Sequence, residues 1–452
     1  MVTGGMEAPN RFALGLFSAV FFLAPLITSV FPKLAPLFMP LVAFAMILAA
    51  LRRGLGWKAL LAPSAALALG AIFALYVLLN ASWAWNPIAG FEKASILLGA
   101  ILLVFAAAAA SNILDDRLAH RAAMAFVAGA SLGTLFLLVE FMTDGAITRF
   151  AMNTIPAIRP DKAKRLVISD SVVTGLNMSK FDQNVTFVML HLWPGLLMLR
   201  ALASPRCAPM MALFFGMTAT AILFSEQSSS QVALLGSAVV FILAWKWHHV
   251  TIRGLAVAWC LAFALVLPLN FLAYDAGLHL SESLPSSFKA RIIIWEFTSE
   301  RTLEHPWLGT GVNSTRERDA AGVDEIQPAE QPEGFVYKRT TAHHAHSIFL
   351  QSWYELGAVG AALMAMAGAL VALRIGSLPR EAQPFACSTF AASALIGAFA
   401  WGMWQTWFMT AIALAALYVG LGASAIKQLG QPPKLLPRQH SQGLANAHHR
   451  AS

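Results

Sequence analysis

Three histidines, His343, His344 and His346, stand just before an apolar stretch of the chain. Imidazole has an unperturbed pKa near neutral pH, so one of these side chains could act as a general base. Three imidazoles so close together could also bind a metal ion, but no His-Glu-x-x-His pattern or acidic cluster accompanies them. They could, as a third interpretation, be interfacial polar residues without chemistry. We expect one of the three to be a general base and no metal to be held.

The apolar stretch that follows carries two polar side chains, Gln351 and Glu355, which lie four residues apart and share a helix face. An ionisable group this far into a membrane helix is costly unless it faces a cavity or a partner. Glu355 is therefore predicted to mark a functional or tightly paired position. The alternative is that both residues only hold helices together. Gly357 and Gly360 are predicted to let another helix approach closely.

One predicted helix, at about 286–304, carries a group that could bind phosphate. Arg291 and Trp295 lie four residues apart on it and share a face. The arginine fork can bind phosphate oxygens in pairs. The alternative is an ordinary surface ion pair between Arg291 and Glu296. The apolar residues of this helix predict that it rests on the membrane surface or on the helix bundle.

Four further cations are candidates for binding an anionic substrate. Arg316 and Arg318 follow in the same loop, whereas Arg165 and Lys180 belong to a second long loop. Such cations could attract a phosphate-bearing substrate. They could equally be solvated loop charges or contacts for lipid headgroups.

The chain that must position these groups is a membrane protein by composition. Of its 452 residues, 58% are hydrophobic and only 12% are charged. Apolar runs of about 20 residues recur along it, the length that crosses a bilayer as an α-helix. The predicted fold class is therefore an all-α polytopic membrane protein with about twelve spans. The predicted spans start near Phe12, Leu34, Ala59, Lys93, Ala122, Gln183, Pro209, Gln231, Gly254, Ser347, Phe385 and Trp404.

Charge distribution predicts how this bundle is oriented. Short loops on one side carry many lysines and arginines, which predicts that this side is cytoplasmic. Residues 1–426 are predicted to form the bundle, with long periplasmic loops at about 143–182 and 273–346, the larger one partly helical. Residues 427–452 read as a disordered cytoplasmic tail. The scattered basic residues do not indicate nucleic-acid binding, and the three cysteines imply no disulfide framework.

The region around the histidines resembles a known family. His346, a following serine, nine residues and then Gly-x-x-Gly are similar to the histidine signature of bacterial O-antigen ligases. Arg291 and Trp295, with the stretches EHPWLGTGVNSTR and HAHSIFLQSWYELG, resemble the long periplasmic loop of the O-antigen ligase and polymerase superfamily. The resemblance is specific over about 286–361 and rests elsewhere on architecture.

This resemblance implies a glycosyltransferase of the bacterial inner membrane, working at the periplasmic face. A glycan would move from an undecaprenyl-pyrophosphate carrier to a hydroxyl of an acceptor glycolipid, the lipid A-core in O-antigen ligation. Arg291 would oppose the charge of the leaving pyrophosphate, with Arg316 or Arg318 assisting. His346 would take the acceptor proton, and Glu355 or Gln351 would orient the site. The resemblance also makes Gln351, His344 and Trp295 candidates for binding substrate, although His344 could instead orient His346. Since the leaving group needs only charge stabilisation, no cofactor or metal is expected, and direct attack would invert the anomeric centre.

The sequence departs from the family at one place. Many relatives carry a Ser-Arg pair at the mouth of the eighth span, where this chain has FSEQSSSQVALLG without an arginine. Lys180 or Arg165 from the other long loop could substitute in holding the pyrophosphate. Asp182, Gln183 and Asn184, at the mouth of the sixth span, also resemble the family.

Other functions remain open at this point. A polymerase of O-antigen or of another exported polysaccharide would use the same donor with a growing glycan as acceptor. A protein O-oligosaccharyltransferase would differ again only in its acceptor. A twelve-span transporter is disfavoured because the link between the sixth and seventh spans is short and no matching pair of broken helices is apparent.

Overall fold

A computed structural model describes residues 11–429 except 113, 115, 160–165, 205, 324 and 327–338. The predicted tail therefore lies outside the described residues from 430 onward. The described chain is mostly helical, with two small two-stranded sheets. The helices are α1 (Arg11–Val30), α2 (Ala35–Leu51), α3 (Trp57–Leu60), α4 (Ala65–Asn80), α5 (Pro87–Ser111), α6 (Asp116–Met142), α7 (Ala146–Thr154), α8 (Asp182–Ala201), α9 (Cys207–Leu223), α10 (Ser228–Asp275), α11 (Ser286–Thr302), α12 (Ser314–Ala320), α13 (Ile348–Arg374), α14 (Gln383–Phe399) and α15 (Thr406–Leu429).

Eight of the described helices are long and apolar enough to cross a membrane, which confirms a multi-pass helical architecture. α10 has 48 residues and bends at Trp247, where φ is −128° and ψ is 55°. At 1.5 Å per residue it is about 72 Å long, so it has room for the two spans predicted within it. α9 and α14 are apolar but have 17 residues each. The total of twelve spans remains a prediction.

α8 forms the centre of the bundle. It packs against α6, α9, α14 and α15, and nearly all its side chains are buried. Several polar side chains on this helix therefore bind protein groups rather than water. Trp193 Nε1–H donates to Ser237 Oγ (2.8 Å), and Asn184 Nδ2–H donates to the carbonyls of Ser29 and Val30 (2.8 Å each).

The segment between α6 and α8 has its own structure, although the sequence predicts only a loop there. α7 is followed by an antiparallel hairpin of β1 (Leu166–Ser169) and β2 (Val172–Leu176). Arg149 ties the helix to the hairpin by donating to Thr174 O (2.6 Å). The hairpin ends at Leu176, and a short 3-10 turn, Met178–Phe181, connects it to the start of α8 at Asp182.

The segment between α10 and α13 holds α11, α12 and two short strands, β3 (Glu325–Ile326) and β4 (Arg339–Thr340), which pair with each other. α11 packs on α10 and α13, and its residues 292–299 are buried. The prediction that this apolar helix lies on the bundle is thus confirmed. Glu296 on α11 pairs with Arg339 of β4 (2.8 Å) and not with Arg291.

The sequence predicts α13 as one continuous helix, but its backbone breaks at Gly357, where φ is 63° and ψ is −170°. Only glycine adopts this conformation readily. A Cβ at Gly357 would lie 2.3 Å from the carbonyl oxygen of Trp307, so a turn approaches this glycine. The expectation that another helix approaches at Gly357 is therefore wrong, because a turn lies there instead. Gly360, by contrast, faces Tyr76 of α4, with 3.0 Å between a Cβ built there and the tyrosine ring.

The turn at 305–311 fills the break in α13. Backbone groups freed from a helix within hydrocarbon must find protein partners, because no water is available there. The turn and α4 supply these partners through Thr310 N–H to Tyr354 O (3.0 Å), Gly311 N–H to Glu355 O (2.9 Å), Tyr76 O–H to Leu356 O (2.6 Å) and Ala358 N–H to Pro306 O (2.8 Å). The glycines of EHPWLGTG let this turn lie directly against the broken helix.

Candidate active site

His346 stands at the mouth of α13, immediately before the helix N-cap. Its φ of 52° is uncommon for a residue with a side chain. Ser347 caps the helix by accepting from Leu350 N–H (3.4 Å). His346 Nδ1 lies 3.0 Å from the carbonyl oxygen of Ala400 in the loop between α14 and α15. Since a carbonyl can only accept, Nδ1 carries the hydrogen and Nε2 of the neutral ring keeps its lone pair.

His344 lies directly beside His346. Its Nδ1 accepts from the backbone N–H of His346 (3.2 Å), and the two ring centroids are 4.1 Å apart. Burial, followed by the positive charge of Arg291, lowers the pKa of His346 to about 4. Burial also holds the pKa of His344 well below its ordinary value, with His346, His343, Arg291 and Arg316 adding to the effect. Both rings are therefore neutral at pH 7.

Arg291 projects from α11 toward these histidines, as its effect on both of their pKa values indicates. Burial lowers the pKa of Arg291 itself, opposed by the charge of Asp182 at the start of α8. The guanidinium remains cationic at any ordinary pH. It makes no hydrogen bond or close ion pair with another described residue, so its donors are available to an anion.

Trp295, one turn along α11, fixes the loop that carries the histidines. Its indole Nε1–H donates to Ala345 O (2.8 Å), and its ring packs against Phe288 and Phe399. Only 8% of Trp295 is exposed, so little of the side chain is open to a substrate. The geometry gives this residue a positioning part: it joins Arg291's helix to His346's loop.

Glu355 is a buried junction of three segments. Its two carboxylate oxygens accept hydrogen bonds from Asn313 N–H (2.9 Å), Thr315 N–H (3.0 Å), Thr315 O–H, Gln351 Nε2–H (3.0 Å) and Trp404 Nε1–H. A carboxylate offers about four lone-pair sites, so this one has no capacity left for a substrate. Glu355 thus holds α13, the start of α12 and the loop before α15 together.

Gln351 extends the same junction. Its Nε2–H donates to Glu355, and its Oε1 accepts from Met403 N–H (3.0 Å). The residue is 3% exposed. Its amide is therefore used in joining α13 to the loop before α15, and the predicted contact with substrate remains untested.

The remaining predicted cations lie around this centre. Arg316 is exposed at the start of α12 and is close enough to affect His344 electrostatically. Arg318 stacks over the ring of Trp85, 5.2 Å from its centroid. Lys180 lies 5.4 Å from the ring centroid of Phe181, just before α8, and Arg165 lies outside the described residues.

The third histidine is set apart from the other two. His343 is 65% exposed and its Nδ1 lies 2.7 Å from Asp319 Oδ2 on α12. Across the described parts of the chain, no group of three or more His, Cys, Asp or Glu side chains is arranged to hold a metal ion.

Sequence reasoning missed the residues that bind site residues from distant parts of the chain. Thr315 and Trp404 both donate to Glu355, yet they lie 40 and 49 positions from it in the chain. Ala400 binds His346 through a backbone carbonyl, which leaves no side-chain pattern to detect. The sequence signal for these residues was Glu355 itself, an ionisable residue in an apolar stretch, because its charge requires hydrogen-bond donors from other segments.

Comparison with known protein families gives a match over part of the chain. Residues 212–365 match a protein-family model described as O-antigen ligase, which is about a third of the chain. The matched region includes Arg291, His346 and Glu355. No curated protein matches the chain. The match at 212–365 supports a membrane enzyme of the ligase or polymerase type and is consistent with the O-antigen ligase and polymerase superfamily.

Proposed function

We propose that this chain is a membrane glycosyltransferase that moves a glycan from an undecaprenyl-pyrophosphate carrier to a hydroxyl of an acceptor glycolipid. One observation carries the proposal: Arg291, with unused donors, lies beside a neutral His346 whose Nε2 can accept a proton. The reaction requires these two groups, a cation for the leaving pyrophosphate and a base for the acceptor. The O-antigen ligase match over the same residues supports it.

On the donor side, the bond between the anomeric carbon and the pyrophosphate oxygen breaks. The electron pair leaves with the polyprenyl pyrophosphate, so negative charge grows on that oxygen. Arg291 opposes this charge, and its partly buried setting strengthens the interaction relative to water. Arg316, exposed beside His344, adds positive charge.

On the acceptor side, the hydroxyl oxygen forms the new bond to the anomeric carbon and its proton passes to Nε2 of His346. Attack opposite the leaving group inverts the anomeric centre. The Ala400 carbonyl then accepts a stronger hydrogen bond from Nδ1–H, because the imidazolium ring is a better donor.

Donor binding also strengthens the base. The free site holds the pKa of His346 at about 4, in part through Arg291. A bound pyrophosphate offsets the charge of Arg291, so this cause of the lowered pKa weakens when the donor is in place. His346 thereby becomes a stronger base when transfer can occur.

The proposal includes the place and the acceptor. The site lies at the outer end of α13, at the mouth of a span and beside the segments between spans, and we assign it to the periplasmic face of the bacterial inner membrane. Lipid-linked donor and acceptor can meet there without leaving the bilayer. We assign the lipid A-core as acceptor, in line with the O-antigen ligase description of the matching family.

The test is the glycan profile of a host that lacks the gene. It is complemented with wild type, with His346→Ala, or with His343→Ala as a control for an exposed histidine of the same loop. We expect cores without glycan and accumulated carrier-linked chains in the null and in His346→Ala, with normal profiles for the other two. Cores that still carry single repeats would indicate a polymerase, and an unchanged profile in the null would refute a role in lipopolysaccharide.

A further inference from the structure

Residues 399–404 run from the last residue of α14 into the loop before α15, and each of them contacts another segment. Three segments take part: α8, the start of α10, and α13 with the histidine loop. The ties are Ser229 Oγ–H to Phe399 O (3.2 Å), His346 Nδ1–H to Ala400 O (3.0 Å), Trp401 Nε1–H to Thr186 Oγ1 (3.0 Å), Met403 N–H to Gln351 Oε1 (3.0 Å) and Trp404 Nε1–H to Glu355. Gly402 packs against His344: a Cβ built on this glycine would lie 2.6 Å from the Cβ of the histidine.

Thr186 on α8 binds the side chain of Trp401, the residue that follows Ala400. Its hydroxyl accepts from Trp401 Nε1–H (3.0 Å) and from Gln227 Nε2–H (2.9 Å), and it donates to Asp182 O (2.9 Å). One donor and two acceptor positions are all that a hydroxyl offers, so this one is fully used. The residue is completely buried. Ser230 completes the network by donating to Gln227 Oε1.

We propose that Thr186 and Trp401 are positioning residues that set the tautomer of His346 by fixing the Ala400 carbonyl in front of Nδ1. The inference rests on the proposed role of His346 as the base. Trp401 follows Ala400 directly, and its Cα belongs to the planar peptide unit that contains the Ala400 carbonyl, so holding the Trp401 side chain restricts the movement of that unit. Which imidazole nitrogen carries the proton is decided by the partner of the other nitrogen.

This positioning matters because the two tautomers do opposite things. With Nδ1–H held by Ala400, the lone pair on Nε2 is available for the acceptor proton. If the carbonyl turns away, the ring can carry its hydrogen on Nε2 instead and cannot accept there. Two buried groups donate to the Thr186 hydroxyl and fix its position: Trp401 of the loop between α14 and α15, and Gln227 of the turn before α10. Four segments therefore cooperate in holding one proton in place.

The experiment removes the anchor without removing bulk. Thr186→Val keeps the shape and deletes the hydroxyl, Thr186→Ser restores the hydroxyl, and Trp401→Phe deletes only the indole donor. Trp407→Phe is the matched control, since its ring meets Trp401 edge-on at 4.9 Å and no hydrogen bond joins its indole to the described residues. Full-length protein with ¹⁵N-labelled histidine gives the tautomer by NMR, the His346 signals being assigned by their loss in His346→Asn. Glycan transfer is measured on the same samples.

We expect Thr186→Val and Trp401→Phe to show a mixed His346 tautomer and about tenfold lower kcat, with KM within about twofold. Thr186→Ser and Trp407→Phe should match wild type in both measurements. An unchanged tautomer in Thr186→Val and Trp401→Phe would overturn the inference, even if transfer fell. A shifted tautomer with unchanged kcat would instead refute His346 as the base and leave the proton-positioning contact standing.

Discussion

Replacing Glu355 with glutamine tests whether this side chain joins three segments of the site. Glutamine has the same shape but offers one carbonyl oxygen and one NH₂ group. In the native chain, one carboxylate oxygen accepts from Thr315, through both N–H and O–H, and from Gln351. The other accepts from Asn313 N–H and Trp404 Nε1–H. Either orientation of the amide therefore sets NH₂ against buried donors.

The magnitude follows from the less costly orientation. With the amide oxygen toward Thr315 and Gln351, the NH₂ faces the two remaining donors, of Asn313 and Trp404. Each buried donor without an acceptor costs about 1–3 kcal/mol. We therefore expect Glu355→Gln to lower the free energy of unfolding by about 4 kcal/mol, a large share of a typical total of about 5–15 kcal/mol. Transfer should fall with it, because the loops around His346 are held through this junction.

The assay is unfolding of the full chain in mixed micelles by increasing amounts of SDS, followed by tryptophan fluorescence. Glu300→Gln is the control, because Glu300 is 57% exposed and pairs with Arg339 at 3.0 Å. An exposed ion pair of this kind contributes about 1 kcal/mol or less. If Glu355→Gln were no more destabilising than Glu300→Gln, the junction would not have the importance that its five hydrogen bonds imply.

Three further predictions follow from the geometry. Gly357→Ala should destabilise the chain by more than about 3 kcal/mol, because it forces an unfavourable backbone conformation against Trp307 O, whereas Gly216→Ala, with open space around it, should change stability by less than about 1 kcal/mol in the same SDS titration. Arg291→Gln should raise the KM for the lipid-pyrophosphate donor about tenfold to a hundredfold, measured against Arg301→Gln, a partly exposed arginine paired with Glu304; equal KM values would refute the phosphate role. The kcat/KM profile should fall on acidification near pH 4 rather than near 6.5, because protonation below the His346 pKa of about 4 fills its lone pair; an acid limb at 6.5 would contradict the buried setting.

Local patterns in the sequence were enough to predict the framework of the site. The serine after His346 indicates the start of a helix, and Ser347 does cap α13. The apolar face of residues 292–297 indicates burial, and α11 is buried against α10 and α13. These predictions succeed because capping and burial depend on neighbouring residues in the chain.

Contacts between distant segments could not be predicted in this way. Trp401 and Thr186 lie 215 positions apart, and nothing in either neighbourhood indicates the other. The break at Gly357 is hidden because residues 356–373 are apolar throughout, and a glycine in such a run is also compatible with a straight helix. The need for backbone partners in hydrocarbon explains the turn at 305–311 once the break is known, but it does not identify the turn in advance.

The most direct test of the central claim is transfer by the purified full chain in lipid nanodiscs, supplied with carrier-linked glycan and an acceptor glycolipid. We predict that wild type and His343→Ala transfer glycan at similar rates, and that His346→Ala retains less than about 1% of that rate, as expected for loss of a general base. Donor binding should persist in His346→Ala, since Arg291 is intact. Transfer by His346→Ala at a rate close to that of wild type would contradict the account.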